Sequence, residues 1–161
     1  MAIKVGKRLP EAGLVTMGPD GPETVQLSER LKGRKVVIFA LPGAFTGACS
    51  TVHMPSFVKT ADQFRAKGVD EIICIAVNDP FVLKAWGEAT GATAAEITLL
   101  GDADGSFTKA VGMDFSNAKL GLHGRSGRYA LIVEDGVVAE ASIDAPGVCE
   151  VSKGEALLEK V

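Results

Sequence analysis

Apolar residues collect in short blocks whose spacing changes along the chain. Lys35 to Leu41 is nearly all apolar and partly β-branched, which predicts a strand covered on both faces. Glu71 to Val77 has the same character, and Ile97 to Leu100 is a shorter third strand. Between the first two the period becomes helical: Met54, Phe57, Val58, Ala61 and Phe64 form one apolar stripe that Gly68 ends. Pro55 lacks a backbone donor and is expected to bend this helix. Asn78-Asp79-Pro80 predicts the next helix start, with Asp79 as N-cap and Val82, Ala85, Trp86 and Ala89 inward. Asp104 to Gly112 reads as a short helix with Phe107, Ala110 and Val111 inward, and Met113 to Gly127 as a long loop. Asp135-Gly136 between Tyr129–Glu134 and Val137–Ile143 is the strongest hairpin signal. Ser152-x-x-Glu155 is a capping box ahead of a C-terminal helix. Residues 1 to 34 are irregular, with a turn at Gly18–Pro22 between two extended pieces and one helical turn at Ser28–Gly33.

The early strand–helix–strand units require parallel pairing, and the late hairpin requires an antiparallel edge. The expected fold is α/β: a central mixed sheet with helices on both faces, the thioredoxin-like layout, in one domain spanning 1–161. Composition adds exclusions. Hydrophobic residues are 47%, charged residues 23%, and the net charge is −3 with both signs scattered. No basic block points to nucleic acid, and a mildly acidic chain suits an anionic membrane surface poorly. No apolar run approaches the ~20 residues of a transmembrane helix. The N-terminal MAIKVGKRLPE has neither signal-peptide nor transit-peptide character, so the expectation is a cytoplasmic protein, an organelle form processed before Ala2 staying open.

Cys49, Cys74 and Cys149 are odd in number, widely spaced and form no C-x-x-C. That argues against a disulfide-stapled secreted fold and against a zinc site, leaving inert core residues or redox chemistry. Cys49 stands apart. A buried strand stops at Pro42-Gly43, and polar Thr46, Ser50 and Thr51 surround the cysteine at a helix start. Unpaired N–H groups and the helix dipole favour a thiolate there. Bringing a thiol from pKa ~8.5 to below 7 takes about 2.7 kcal/mol, and a helix terminus gives at most ~2 kcal/mol. A nearby cation is therefore expected. Thr46 read by itself is an N-cap, Cys74 a small core residue as readily as a functional one, and Cys149 a surface bystander. His53 reads as a packing residue, and Arg128, with Arg125 close by, as a solvated strand-end charge. Asp102-Ala103-Asp104-Gly105 reads as turn and cap chemistry.

Pro42-Gly43-Ala44-Phe45-Thr46-Gly47-Ala48-Cys49-Ser50, with His53 and Pro55, resembles the active-site signature of the peroxiredoxins. The match is to the atypical type II, fifth-class branch, and extends through Val77–Phe81, Trp86, Gly101–Gly105 and Arg128–Ala130. Gly47 departs from it, many members having proline there. The resemblance implies a thiol peroxidase that reduces hydrogen peroxide and alkyl hydroperoxides without metal or prosthetic group. Cys49 would be the peroxidatic cysteine, Thr46 would hold peroxide and thiolate, Pro42 would shield the sulfur, and Arg128 would neutralise it. Glutaredoxin, glutathione or thioredoxin would re-reduce the enzyme. Cys74 is the first choice of resolving thiol, an external thiol the second and Cys149 the third. A homodimer through Phe45, Phe81 and the 113–127 loop is expected. Two other readings are a thioredoxin-fold signalling module that oxidises without turnover, and a cysteine hydrolase, which lacks a credible Cys-His-Asn/Asp set.

Overall fold

A computed structural model describes residues 3–161, so Met1 and Ala2 of the N-terminal segment lie outside it. The two extended pieces near the N-terminus form a hairpin, β1 (Gly13–Gly18) with β2 (Gly21–Gln26), followed by the short α1 (Leu27–Leu31). The first apolar block is β3 (Lys35–Ala40). A π-helical turn, Cys49–His53, then runs into α2 (Met54–Ala66). β4 (Glu71–Ala76), α3 (Pro80–Thr90), β5 (Thr98–Gly101) and α4 (Ser106–Ala110) follow. β6 (Asp114–Asn117) and β7 (Leu122–Ser126) form a separate small sheet. β8 (Tyr129–Glu134), β9 (Val137–Ile143) and α5 (Gly154–Leu158) complete the chain.

One sheet of seven strands runs in the order β2-β1-β5-β4-β3-β8-β9. β4 pairs in parallel with β3 and β5, and the remaining pairs are antiparallel. Alternation along the central strands divides the core in two. Val37, Phe39, Ile72, Cys74, Ala130 and Ile132 face one side with the buried residues of α2, α3 and α5. Val36, Ile38, Ile73, Ile75, Leu131 and Val133 face the other with Leu27, Leu31, Phe107 and Val111. The expected mixed sheet with helices on both faces is therefore the one found.

Four local expectations are corrected. The 113–127 segment is not a bare loop, because β6 and β7 pair across a short 3₁₀ turn. Trp86 is buried as expected, but Ala85 and Ala89 are exposed, and Leu83 and Gly87 are the other inward residues of the stripe. A Cβ on Gly87 would approach Leu99 Cδ1 to 2.5 Å, so the glycine lets α3 lie close to the sheet and sets its rotation. In α4 the inward residues are Phe107 and Thr108, while Ala110 is exposed. The capping box does not form: Ser152 Oγ donates to Asp144 Oδ2 at 2.5 Å, and the residue before α5 is Lys153. Pro55 is the second residue of α2, where its missing donor falls at the change from π to α bonding, His53 before it being already helical. The irregularity is upstream, in the π-helical turn.

The capping chemistry elsewhere is as expected. Asp79 Oδ1 accepts from the Val82 N–H at 2.9 Å. Asp102 accepts from the N–H groups of Phe107 and Thr108, and Asp104 from that of Ser106.

Candidate active site

Cys49 is the first residue of the π-helical turn and is 1% exposed. Its neighbours in the apolar cluster include Phe39, Leu41 and Ala44. Arg128 reaches it from the link between β7 and β8: Nη2 donates to Cys49 Sγ at 3.2 Å. The cation that the thiolate argument required is present, supplied from 79 residues along the chain.

The second guanidinium nitrogen is also committed. Arg128 Nη1 lies 3.0 Å from His53 Nδ1, and His53 Nε2 lies 3.0 Å from the Ser152 carbonyl oxygen. A carbonyl only accepts and a guanidinium only donates. His53 is therefore the Nε2–H tautomer, donating to Ser152 and accepting from Arg128. The ring is fully buried, at 5.1 Å from the Phe39 ring and 5.6 Å from the Phe57 ring. Burial, followed by the Arg128 charge, pushes its pKa down to about 3. With its proton given to Ser152 and its lone pair to Arg128, His53 has nothing left to serve as a base for Cys49. It bonds to the structure, as expected. Its contact with Arg128 was not foreseen, although its place four residues after Cys49 puts both side chains on one helical face.

The segment before Cys49 is held from two directions. Arg125 Nη1, from β7, donates to the Pro42 carbonyl at 2.9 Å. Asn78 Oδ1 accepts from the Ala44 N–H at 3.0 Å. Gly43 between them has φ 150°, and a Cβ there would come within 2.2 Å of Arg125 Nη1. The two arginines that the sequence could not tell apart thus divide the work, Arg128 on the sulfur and Arg125 on the loop. The sequence reading missed Arg125 and Asn78 as anchors. The only available signal was the polar Asn78 directly after an apolar strand.

Thr46 departs from its bland reading. Its hydroxyl donates to the Gly43 carbonyl at 2.7 Å, and no side chain caps the turn at Cys49. Its oxygen lone pairs remain as acceptors. On the far side, Trp86 Nε1 donates to Ser50 Oγ at 2.9 Å and ties α3 to the π-helical turn.

All three cysteines are free thiols. Cys74 lies opposite Phe39 in the β3–β4 pair, 1% exposed and in the same apolar cluster as Cys49. Burial first, and Cys49 second, push its thiol well up. Cys149 is half-buried in the loop after β9; burial raises its thiol, against the opposing pull of Arg128.

The family model described as Redoxin matches residues 4–158. The chain is 45% identical over 161 residues to Peroxiredoxin-2E-2, chloroplastic, of Oryza sativa subsp. japonica, covering 98% of this chain and 72% of that one. It is 45% identical over 139 residues to Peroxiredoxin-2F, mitochondrial, of Arabidopsis thaliana, covering 86% of this chain and 69% of that one. The solved structure of reduced Prx3 from Vibrio vulnificus in complex with H₂O₂ superposes with TM-score 0.92 at 46% identity, over 98% of both chains. With a guanidinium on a buried sulfur and likeness along nearly its whole length, the chain belongs to the Redoxin family and, within it, to the peroxiredoxins, which are thiol peroxidases.

Proposed function

We propose that Cys49 is the peroxidatic thiol and that Arg128 serves both the thiolate and the peroxide. The observation that carries this is the 3.2 Å contact between Arg128 Nη2 and Cys49 Sγ in a site nearly closed to water. A guanidinium so placed offers the attacking sulfur an opposite charge at hydrogen-bond distance, the surroundings in which reactive cysteines are found. Cys49 S⁻ attacks the distal oxygen of ROOH and the O–O bond breaks. The sulfur becomes Cys49–SOH, and RO⁻ leaves and takes a proton to become ROH. Arg128 faces the charge that develops on the departing oxygen, and the Thr46 lone pairs can accept the hydrogen of the bound peroxide. Pro42, held by Arg125, covers the sulfur. The near-complete burial of Cys49 favours hydrogen peroxide and small alkyl hydroperoxides over bulky ones.

The sulfenic acid then takes a thiol and loses water, giving a disulfide, and a second thiol restores Cys49. Cys74 is the intramolecular candidate because it shares the Cys49 cluster, but a bond to it requires the π-helical turn to unwind. Its raised pKa keeps it protonated and slow as a nucleophile. An external thiol, from glutaredoxin, glutathione or thioredoxin, meets neither obstacle, and Cys149 ranks behind both. Exposed Phe45 in the anchored 42–47 segment, Phe81 three residues beyond its anchor Asn78, and Leu120 in the turn between β6 and β7 are the apolar side chains we assign to a homodimer surface. Three free thiols suit a reducing compartment, which we take to be the cytoplasm; cell fractionation tests this.

Steady-state peroxide consumption with glutaredoxin or thioredoxin as reductant is the test. Cys49→Ser should abolish turnover, and Arg128→Ala should slow peroxide attack on the order of 100-fold. Turnover by the Cys49 variant removes the proposal, and absence of turnover in the native chain favours the signalling module.

A further inference from the structure

Arg128 is held in place by a closed circuit of hydrogen bonds, and one carboxylate closes it. Directly after β9, the Asp144 N–H donates to the Arg128 carbonyl at 3.0 Å. The Asp144 carboxylate accepts four bonds: from the N–H groups of Glu150 (3.1 Å), Val151 (3.0 Å) and Ser152 (3.1 Å), and from Ser152 Oγ (2.5 Å). Asp144 is 8% exposed and Ser152 fully buried. Ser152 fixed in this way presents its carbonyl to His53 Nε2, and His53 Nδ1 accepts from Arg128 Nη1. Both ends of Arg128 are therefore reached, its backbone directly by Asp144 and its guanidinium through Ser152 and His53.

We infer that Asp144 is a positioning residue for the peroxidase reaction, setting the His53 tautomer through Ser152 and thereby the aim of Arg128 at Cys49. This rests on the reading of Cys49 and Arg128 given above. The physical reason lies in the imidazole. His53 accepts from Arg128 only while its proton sits on Nε2, and the Ser152 carbonyl is what keeps it there. If the 150–152 backbone drifts, the Nε2–H of a fully buried ring loses its partner. The Arg128 bond at Nδ1 is then all that holds the proton on Nε2, and a ring no longer pinned at its other nitrogen can turn and take the guanidinium with it. Burial alone would raise the Asp144 carboxyl, but the bonds from Ser152, Val151 and Glu150 outweigh it and hold the group below its usual range. Near neutral pH the carboxylate is therefore a fixed anion. His53 and Cys149 sense its charge, and Glu150 and Lys153 are the charged residues that share its loop.

The test compares native protein, Asp144→Asn, Ser152→Ala, Arg128→Lys and the Asp144→Asn/Arg128→Lys double variant. Two quantities are read: the second-order rate of peroxide attack, and the pH midpoint of Cys49 alkylation by iodoacetamide. Asp144→Asn should slow peroxide attack about tenfold and move the alkylation midpoint upward, and Ser152→Ala should do the same to a smaller degree. In the Arg128→Lys background Asp144→Asn should add little, because the guanidinium it acts through is gone. Full additivity in the double variant overturns the inference. So do native rates and midpoints in both single variants. If Asp144→Asn fails to fold, Ser152→Ala decides by the same two readings. Failure of the peroxidase reading is distinguishable, since the native protein itself would then not consume peroxide.

Discussion

At the scale of single residues, His53 makes a prediction that needs no substrate. Folded, its pKa is about 3; its ordinary value is 6.5. Below 6.5 the unfolded chain therefore binds a proton that the folded chain refuses. The stability from keeping the ring neutral is complete above that point and is lost as the pH falls toward 3, at up to about 1.4 kcal/mol per pH unit. Glu71, held at about 2 by Arg30, Thr98 and Arg34 against the opposing effect of burial, begins to act only below 4.5. Urea midpoints between pH 6.5 and 5 should therefore fall in the native protein and stay level in His53→Gln. A level native profile would sink the assignment. Residues differ sharply in how far they were legible. Cys49 could be read from its position between a strand end and a helix start. Arg128 could be named only through the family resemblance, because Arg125 has the same charge three residues away and only the turn into β8 decides which one meets the sulfur. The tautomer of His53 was out of reach, since it depends on a carbonyl 99 residues later.

At the scale of elements, periodicity located nearly every strand and helix, and the misses share a cause. The α3 stripe was right at Trp86 and wrong at Ala85 and Ala89, because alanines carry little phase information and Gly87, left out of the stripe, faces inward. The capping box failed because Asp144, from another element, took Ser152 first. The π-helical turn has no sequence signature in a single chain, yet it is where Cys49 sits, as such turns often are at functional sites. Packing of α5 on α2 supplies the element-scale prediction. A Cβ on Gly154 would come within 2.5 Å of the Ser56 carbonyl oxygen and of Thr60 Oγ1, and backbone cannot step aside as a side chain can. Gly154→Ala should cost about 1–3 kcal/mol, visible as a lowered Tm with the strand content of the circular dichroism spectrum unchanged. A Tm within error of the native value would mean that α5 is free to shift.

For the whole molecule, the α/β layout followed from strand order alone, whereas strand order says nothing about the proposed homodimer. Phe45 is 60% exposed and Phe81 is 64% exposed, beside the segment that carries the site. Replacing both by glutamate should shift sedimentation from dimer to monomer; an unchanged dimer would move the interface elsewhere. The borders of the main sheet narrow the choices further. At the start of β9 the outer rim is occupied, with Gly6 N–H bonded to Val138 O, Val138 N–H to Lys7 O, and Leu9 N–H to Gly136 O. Along β2 it is broken by Pro22, which has no donor, and by the exposed charge of Glu23. A strand from a neighbouring molecule would meet these obstacles at the start of β9 and along β2, which steers crowded copies away from fibre-like stacking and toward contact through their faces.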